Sequence, residues 1–327
     1  MEEIEKMIIP IVYSTDDNVA DLCSVSISSI FNNSCRKNIY KIYVFYSRLS
    51  KKHINNLESM SKLNIKVKCI DVSKYINYDD LYEVERYPYE IFFRLYIPFI
   101  LDYDKVIYLD CDTIVLDDIS LLYKEKINTS LGCVADYCFY TGGDYYFNSG
   151  VLLFNSKIYR KNKILDKCIN LLKEDKSFKF PDQDILNIIC CDDHTELHPK
   201  YNYQIHELYV SRFRCLIDFK YRDLFNFSPV VVHYSYLTKP HKTILSSYNK
   251  YFWMYAKDTK YYNQLVDKYL DDPFKVVYNS FLEEMYLNSV YDGKIGLKGI
   301  FNTFFKSLKY WFLYKRRGGK NEFKKKN

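Results

Sequence analysis

Strand-like and helix-like patterns alternate through the first two thirds of the chain, and this alternation limits the fold more than any other feature. Ile8 to Ser14 (IIPIVYS) reads as a strand, followed by Asp16-Asp17-Asn18 and a helical stretch from Val19 to Phe31. Ile39 to Tyr46 (IYKIYVFY) is a second strand, Lys51 to Met60 a polar helix, Ile65 to Val72 a third strand and Val106 to Leu109 a fourth. Ile91 to Leu101 is predicted helical although Pro98 interrupts it. Such an order predicts an α/β domain whose mostly parallel central sheet is covered on both faces. Ligands of such sheets bind beyond the carboxyl ends of the strands. Asp16-Asp17-Asn18 and Asp110-Cys111-Asp112 both lie at such ends, so one cleft is expected to hold them.

Glycine narrows the chemistry by its scarcity. There are nine, and none precedes Gly132. A dinucleotide fingerprint needs glycines in the first strand-to-helix turn, and a P-loop needs GxxxxGK[ST]; neither is present. Any phosphate held by this sheet must be held by charge. The ten cysteines form no CxxC pair, the chain opens on the acidic MEEIEKMIIP, and no apolar run approaches the ~20 residues of a membrane span. Reduced thiols and a cytoplasmic location are the expectation.

The net charge of +6 hides an asymmetry. From Lys294 to Asn327 eleven Lys or Arg face one acid, Glu322, so this tail carries +10 and the other 293 residues carry −4. Past Tyr248 the pattern turns helical and aromatic, and the chain shows no internal repeat. The organisation therefore points to a catalytic domain over 1–245 and a helical region over 246–327.

Asp-x-Asp occurs three times: Asp102-Tyr103-Asp104, Asp110-Cys111-Asp112 and Asp182-Gln183-Asp184. The first precedes a strand, where solvated turn aspartates belong. The second follows the apolar strand Val106 to Leu109. Extended residues i and i+2 project to one side, so both carboxylates can face one ion there. Two uncompensated carboxylates beside a core are costly, and a divalent cation removes the cost. A pair that caps a turn or bridges to lysine has the same spacing.

Six ordered blocks carry more information than any one of them: IVYSTDDN (Ile11–Asn18), FFRLYIP (Phe92–Pro98), YLDCD (Tyr108–Asp112), YYFNSGVLLFN (Tyr145–Asn155), DQDILN (Asp182–Asn187) and HYSYLTKP (His233–Pro240). With these blocks the chain resembles the family 8 glycosyltransferases, above all the bacterial lipopolysaccharide α-galactosyl- and glucosyltransferases, from about Ile8 to His241. The resemblance implies a GT-A fold and a retaining transfer of a hexose from a UDP-sugar donor to a saccharide or glycolipid acceptor. It implies that Asp110, Asp112 and His233 bind Mn²⁺, with Mg²⁺ as the alternative, so that a dication meets the charge developing on the leaving diphosphate. Lys239 would add a point charge on the same diphosphate, and Tyr236 would face it through its backbone. Ser14, Asp16 and Asn18 would contact the nucleoside, although an acidic residue before Val19 equally suits a helix cap. Arg94 matches the donor-sugar arginine, with a buried ion pair as its other reading. Asn148, Asp182 and Gln183 would line the donor hexose, and Asp136 would contact the acceptor. Asp182 and Gln183 are the catalytic candidates. An amide is a poor nucleophile where a retaining glycosidase uses a carboxylate; Gln183 is therefore expected to stabilise positive charge by its carbonyl dipole during same-face attack. Two departures from the family pattern bear on the acceptor: Tyr236 stands where glycine is usual and His241 where tryptophan is frequent, and only eleven residues separate Asp136 from Asn148.

In the tail, Ile300, Phe301, Phe304, Phe305, Leu308, Trp311 and Phe312 recur at helical spacing, with Lys298, Asn302, Lys306 and Lys309 largely opposite. A helix of this kind can lie in a membrane interface, and basic residues near an anionic leaflet contribute about 1 kcal/mol each. Residues 294–327 are thus expected to attach the protein to the inner face of the cell membrane; no nucleic-acid-binding module accompanies the charge. Two other functions remain open on the sequence: a self-glucosylating initiator resembling glycogenin, for which the 35 tyrosines supply acceptors, and a non-catalytic membrane scaffold.

Overall fold

The computed structural model describes residues 6–81, 87–136, 145–204, 227–235, 248–270 and 305. The chain forms two compact units, 1–203 with 227–233 and 204–226 with 234–327. These interleave along the sequence, where composition points to a single divide near 245–246.

The first unit is built on a sheet of seven strands in the order β3-β2-β1-β4-β7-β6-β8. Its strands are β1 (Ile8–Ser14), β2 (Ile39–Tyr46), β3 (Ile65–Asp71), β4 (Lys105–Leu109), β6 (Leu131–Ala135), β7 (Phe147–Asn155) and β8 (His194–Glu196), while β5 (Thr113–Val115), β9 (Tyr203–Gln204) and β10 (Val231–His233) lie outside it. β1 runs parallel to β2 and β4, β2 parallel to β3, and β6 parallel to β8. Only β7 is reversed, antiparallel to both β4 and β6. This is the α/β, largely parallel sheet that the alternating patterns predict.

The strands are apolar on both faces because both faces are covered. Along β1, Ile9, Ile11 and Tyr13 join one core cluster and Val12 the other; along β4, Ile107 and Leu109 part from Val106 and Tyr108 in the same way. Helix α1 (Ala20–Asn33) is buried along most of its length, serines included. Those serines have partners that matter below: Ser26 Oγ lies 3.1 Å from Thr113 Oγ1, and Ser29 Oγ accepts from the Val115 N–H at 2.8 Å. They fasten β5 to the helix. The segment expected to be one helix over Ile91 to Leu101 is a 3-10 helix over Tyr89–Tyr96 followed by a single α-turn, α3 (Ile97–Ile100). Pro98 falls in the first turn of α3, where a missing N–H costs nothing.

Two features of this unit place the site. First, β5 pairs antiparallel with β10, setting His233 opposite Thr113. Second, β7 bulges: Leu152 faces Cys133 and Asn148 faces Val134, so the β6 ladder skips Ser149, Gly150 and Val151. Bulges re-aim backbone and side chains next to functional sites.

In the second unit the described residues include α8 (Asn249–Ala256) and α9 (Tyr262–Leu270), with Tyr234 Oη donating to the Tyr248 carbonyl at 2.7 Å. Apart from exposed Phe305, the tail at 294–327 falls outside the described residues. Among the described residues, no helix is long and apolar enough to cross a membrane, and the eight cysteines are free.

Candidate active site

Asp110 and Asp112 do converge, but not by strand alternation as their i, i+2 spacing suggests. β4 ends at Leu109, and residues 110–113 form a turn closed by the Thr113 N–H on the Asp110 carbonyl at 3.2 Å, with Thr113 Oγ1 donating to the same oxygen at 2.8 Å. The chain must reverse here to enter β5, and the turn aims both carboxylates at the strand that β5 pairs with. That strand ends in His233. Its Nε2 lies 3.4 Å from Asp112 Oδ1 and 3.8 Å from Asp110 Oδ2, and one ligand atom from each of the three residues falls within 4.8 Å of the others.

Gly150 makes room for this cluster. A Cβ there would lie 2.3 Å from His233 Cε1 and 2.6 Å from Asp110 Oδ2. No side chain fits, so the backbone of β7 forms one wall of the site. The Asp110 N–H donates to the Gly150 carbonyl at 2.8 Å and holds that wall in place.

Arg94 ties the cluster to the next pair of residues. It is 4% exposed, and its Nη2 donates to Asp110 Oδ1 at 2.9 Å while Nη1 lies 3.1 Å from Asp182 Oδ2. Nε donates to the Ile91 carbonyl, Nη1 to the Ser149 carbonyl, and the guanidinium lies over the Tyr108 ring. The buried ion pair left open for this residue is therefore present. Tyr108 Oη also donates to Asp110 Oδ1, at 2.7 Å. Both bonds fall on the same oxygen and leave Asp110 Oδ2 facing His233.

Burial and neighbouring charge both act on Arg94 and Asp182. Burial alone would pull the Arg94 guanidinium down, but Asp110 and Asp182 together push it above its ordinary value. Asp182 moves the other way energetically: burial raises its carboxyl above the usual range, Arg94 offsets part of that, and Asp110 adds repulsion. The two partners differ because Arg94 lies beside two carboxylates, whereas Asp182 is buried and meets Asp110 as a like charge.

Beyond Arg94 lies a network of buried amides. Asp182 and Gln183 occupy the first turn of α7 (Pro181–Ile189). Ser149 Oγ donates to Asp182 Oδ2 at 2.9 Å. Gln183 Oε1 accepts from the Ser149 N–H at 3.0 Å and from Asn148 Nδ2 at 3.1 Å, while Gln183 Nε2 donates to Asp136 Oδ2 at 3.3 Å. Asp136, expected at an acceptor contact, is fully buried and joins the network through Gln183. Asp184, the last acid of the third Asp-x-Asp, turns away to take the Phe180 N–H and the Tyr146 hydroxyl. In the first Asp-x-Asp, Asp102 and Asp104 are exposed.

The family model described as Glycosyl transferase family 8 matches residues 10–244. The chain belongs to glycosyltransferase family 8. It is similar to General stress protein A of Bacillus subtilis, 27% identical over 272 residues that cover 78% of this chain and 95% of that protein. It is also similar to a lipopolysaccharide 1,2-glucosyltransferase of Escherichia coli, 27% identical over 250 residues, 70% of this chain and 71% of the relative. Among solved structures it shares its fold with the galactosyltransferase LgtC, captured with donor and acceptor sugar analogues: TM-score 0.62, 22% identity, 77% of this chain and 96% of the other. The fold is GT-A, and the chain is a glycosyltransferase.

The turn after β1 holds the residues expected at the nucleoside. Here Asp16 Oδ1 accepts from the N–H groups of Asn18 and Val19, and Asp16 Oδ2 accepts from Asn18 Nδ2 at 2.9 Å. Asp16 thus caps the turn at 17–19 that leads into α1, whose own N-cap, Val19, makes no side-chain cap bond. Ser14 Oγ is buried with no hydrogen-bond partner among the described residues. Tyr236 and Lys239 lie outside the described residues.

The donor set at Asp110, Asp112 and His233 fits a divalent cation: two carboxylate oxygens and an imidazole nitrogen converge within 4.8 Å of one another. Sequence reasoning overlooked Tyr108, Ser149, Gly150 and Asn202. The first three stand inside the YLDCD and NSG blocks and could have been read there. Asn202, 1% exposed and 3.1 Å from His233 Nδ1, carries no sequence signal.

Proposed function

We propose that this family 8 enzyme transfers a hexose, galactose or glucose, from a UDP-sugar to a saccharide acceptor with retention of anomeric configuration, in the synthesis of lipopolysaccharide or another surface glycan. One observation carries the reading: the Asp110–Asp112–His233 cluster and the Asp182–Gln183 pair are joined through Arg94, Ser149 and Asn148 into one buried polar system. A cation held by the first group would supply Lewis-acid stabilisation to a departing UDP. The relatives named as a glucosyltransferase and a galactosyltransferase support a hexose donor.

The chain's own residues do the rest. Asp182, oriented by Ser149 and Arg94, accepts from hydroxyls of the donor sugar. Gln183 stands where a nucleophilic carboxylate would be needed for a covalent intermediate, and an amide is too weak for that role. The acceptor oxygen therefore forms its bond to the anomeric carbon on the face that UDP leaves, and its proton passes to the departing phosphate oxygen. The Gln183 carbonyl, held by the Ser149 N–H, contributes a fixed dipole to the positively charged carbon.

The experiment is to incubate the protein with a panel of UDP-sugars and Mn²⁺ or Mg²⁺ and to follow UDP release. Turnover of UDP-galactose or UDP-glucose that EDTA abolishes is the expected result, with the released sugar first appearing as the α-anomer by proton NMR. Metal-independent turnover, or a β-anomer, would contradict it. We also place the enzyme at the cytoplasmic face of the membrane through residues 294–327, on the strength of their +10 charge. Full-length protein should sediment with anionic vesicles and not with neutral ones; equal binding to both, or to neither, rejects the attachment.

A further inference from the structure

The amides behind His233 form a chain whose orientation is dictated by the backbone. A side-chain amide can be flipped, exchanging its oxygen and nitrogen, but a backbone N–H can only donate. The Gly150 N–H points at Asn148 from 3.0 Å, so the atom it meets is Oδ1. The Ser149 N–H likewise makes the near atom of Gln183 its Oε1, which faces Asn148 Nδ2 at 3.1 Å. The two constraints agree. Asn202 meets Asn148 Oδ1 at 2.9 Å and must do so with Nδ2. Its own Oδ1 then faces His233 Nδ1, at 3.1 Å. An oxygen at that place accepts only, so Nδ1 carries the proton.

We propose that Asn202 is a positioning residue that keeps the His233 proton on Nδ1 and reserves Nε2 for the cation; this rests on the reading that Asp110, Asp112 and His233 hold a divalent metal. Metal-bound histidines ordinarily donate their other ring N–H to a fixed acceptor, which sets tautomer and ring angle. In this chain the acceptor is a neutral amide two hydrogen bonds away from the Gly150 N–H. The β7 bulge that opens the wall of the site therefore also orients its histidine. Asn202 is itself anchored: its N–H donates to the Pro199 carbonyl at 3.1 Å, and the neighbouring Lys200 carbonyl takes the Val230 N–H at 2.8 Å, at the entrance to the strand that ends in His233. A hydrophobic residue at 202 would keep the packing and lose the acceptor.

The test has two independent arms, both on the full chain. In the first, long-range proton–nitrogen NMR of the histidine-labelled, metal-free protein at about pH 8.5, above the ordinary histidine range, reads the tautomer, with the His233 signals assigned by their loss in His233→Gln. The wild type is expected to show the proton on Nδ1; a proton on Nε2 alone overturns the proposal without any Asn202 variant having to fold. In the second, Mn²⁺ affinity in the presence of UDP is measured by electron paramagnetic resonance. Asn202→Leu should bind Mn²⁺ about 10–100-fold more weakly with a mixed tautomer. Asn202→Asp, which keeps an acceptor for Nδ1, should retain the wild-type tautomer and recover at least part of the loss. Unchanged affinity and tautomer in Asn202→Leu would overturn the role. Absence of Mn²⁺ binding by the wild type would overturn the metal reading and with it the purpose assigned to Nε2, whereas the first arm would still report whether Asn202 sets the tautomer.

Discussion

Two acidic turns stand at the carboxyl ends of neighbouring parallel strands, and the structure spends them differently. After β1, the carboxylates are consumed by backbone: Asp16 takes the N–H groups of Asn18 and Val19, and Asp17 takes the Ser50 N–H at the start of α2 (Lys51–Glu58). After β4, side chains surround the carboxylates: Arg94 and Tyr108 hold one oxygen of Asp110, and His233 faces the other together with Asp112. The first turn is therefore mainly architecture. The second gathers two carboxylates and an imidazole within reach of one cation. Sequence composition does not separate them; the neighbours brought by β10 and by the segment around Arg94 do.

The comparison can be broken at its strongest point with Asp112→Asn. That change should lower kcat/KM for the UDP-sugar by about 10³-fold, since Lewis-acid stabilisation is worth several kcal/mol and each 1.36 kcal/mol is tenfold, while shifting the melting temperature little. A large loss of stability with activity retained would mean that the second turn is architecture too. Next in size, Gly150→Ala should weaken Mn²⁺ binding about 10²-fold, because the new Cβ must displace His233 or Asp110 and misplacement near 1 Å costs that much; titration calorimetry with UDP and Mn²⁺ checks it. Asp16→Ala should cost about 1 kcal/mol of stability through loss of the bonds that cap the turn leading into α1, read from urea denaturation, and Asn at this position should largely restore it.

The smallest effect concerns Glu90, which accepts from Ser47 Oγ at 2.8 Å and lies near Asp16. Burial raises its carboxyl above the ordinary value, with the Ser47 bond opposing. The folded chain then binds this proton more tightly than the unfolded chain does. The resulting stability is fully present below the ordinary glutamate pKa of about 4.3 and is lost as pH rises through the raised value. Glu90→Gln should flatten that decline, seen as a smaller difference between denaturation midpoints measured on either side of it. An unchanged slope would show that the first turn carries no electrostatic strain.

Much of the fold was legible because local pattern and tertiary demand coincide. β1 and β2 have the boundaries their apolar runs announce, β3 stops one residue earlier at Asp71, and α1 is displaced by one residue at its start and two at its end. Parallel strands buried on both faces need continuous apolar runs, and such runs are visible in one dimension. The reversal of β7 was not legible: an apolar stretch reads alike in either direction. The 3-10 helix over Tyr89–Tyr96 was hidden for a similar reason, since its hydrophobic spacing differs little from that of an α-helix.

Sequence alone determined the family, the alternating scaffold and the candidate metal-binding side chains Asp110, Asp112 and His233, because these depend on residue identity and order. Tertiary structure decided how the ligands meet. A turn rather than a strand aims the two aspartates, an antiparallel pair sets His233 opposite Thr113, and a bulge turns the Ser149 and Gly150 N–H groups onto Gln183 and Asn148. Asn202 is the clearest case. Its role comes from a hydrogen-bond direction passed along three amides and a histidine, and direction exists only once those groups are placed in space.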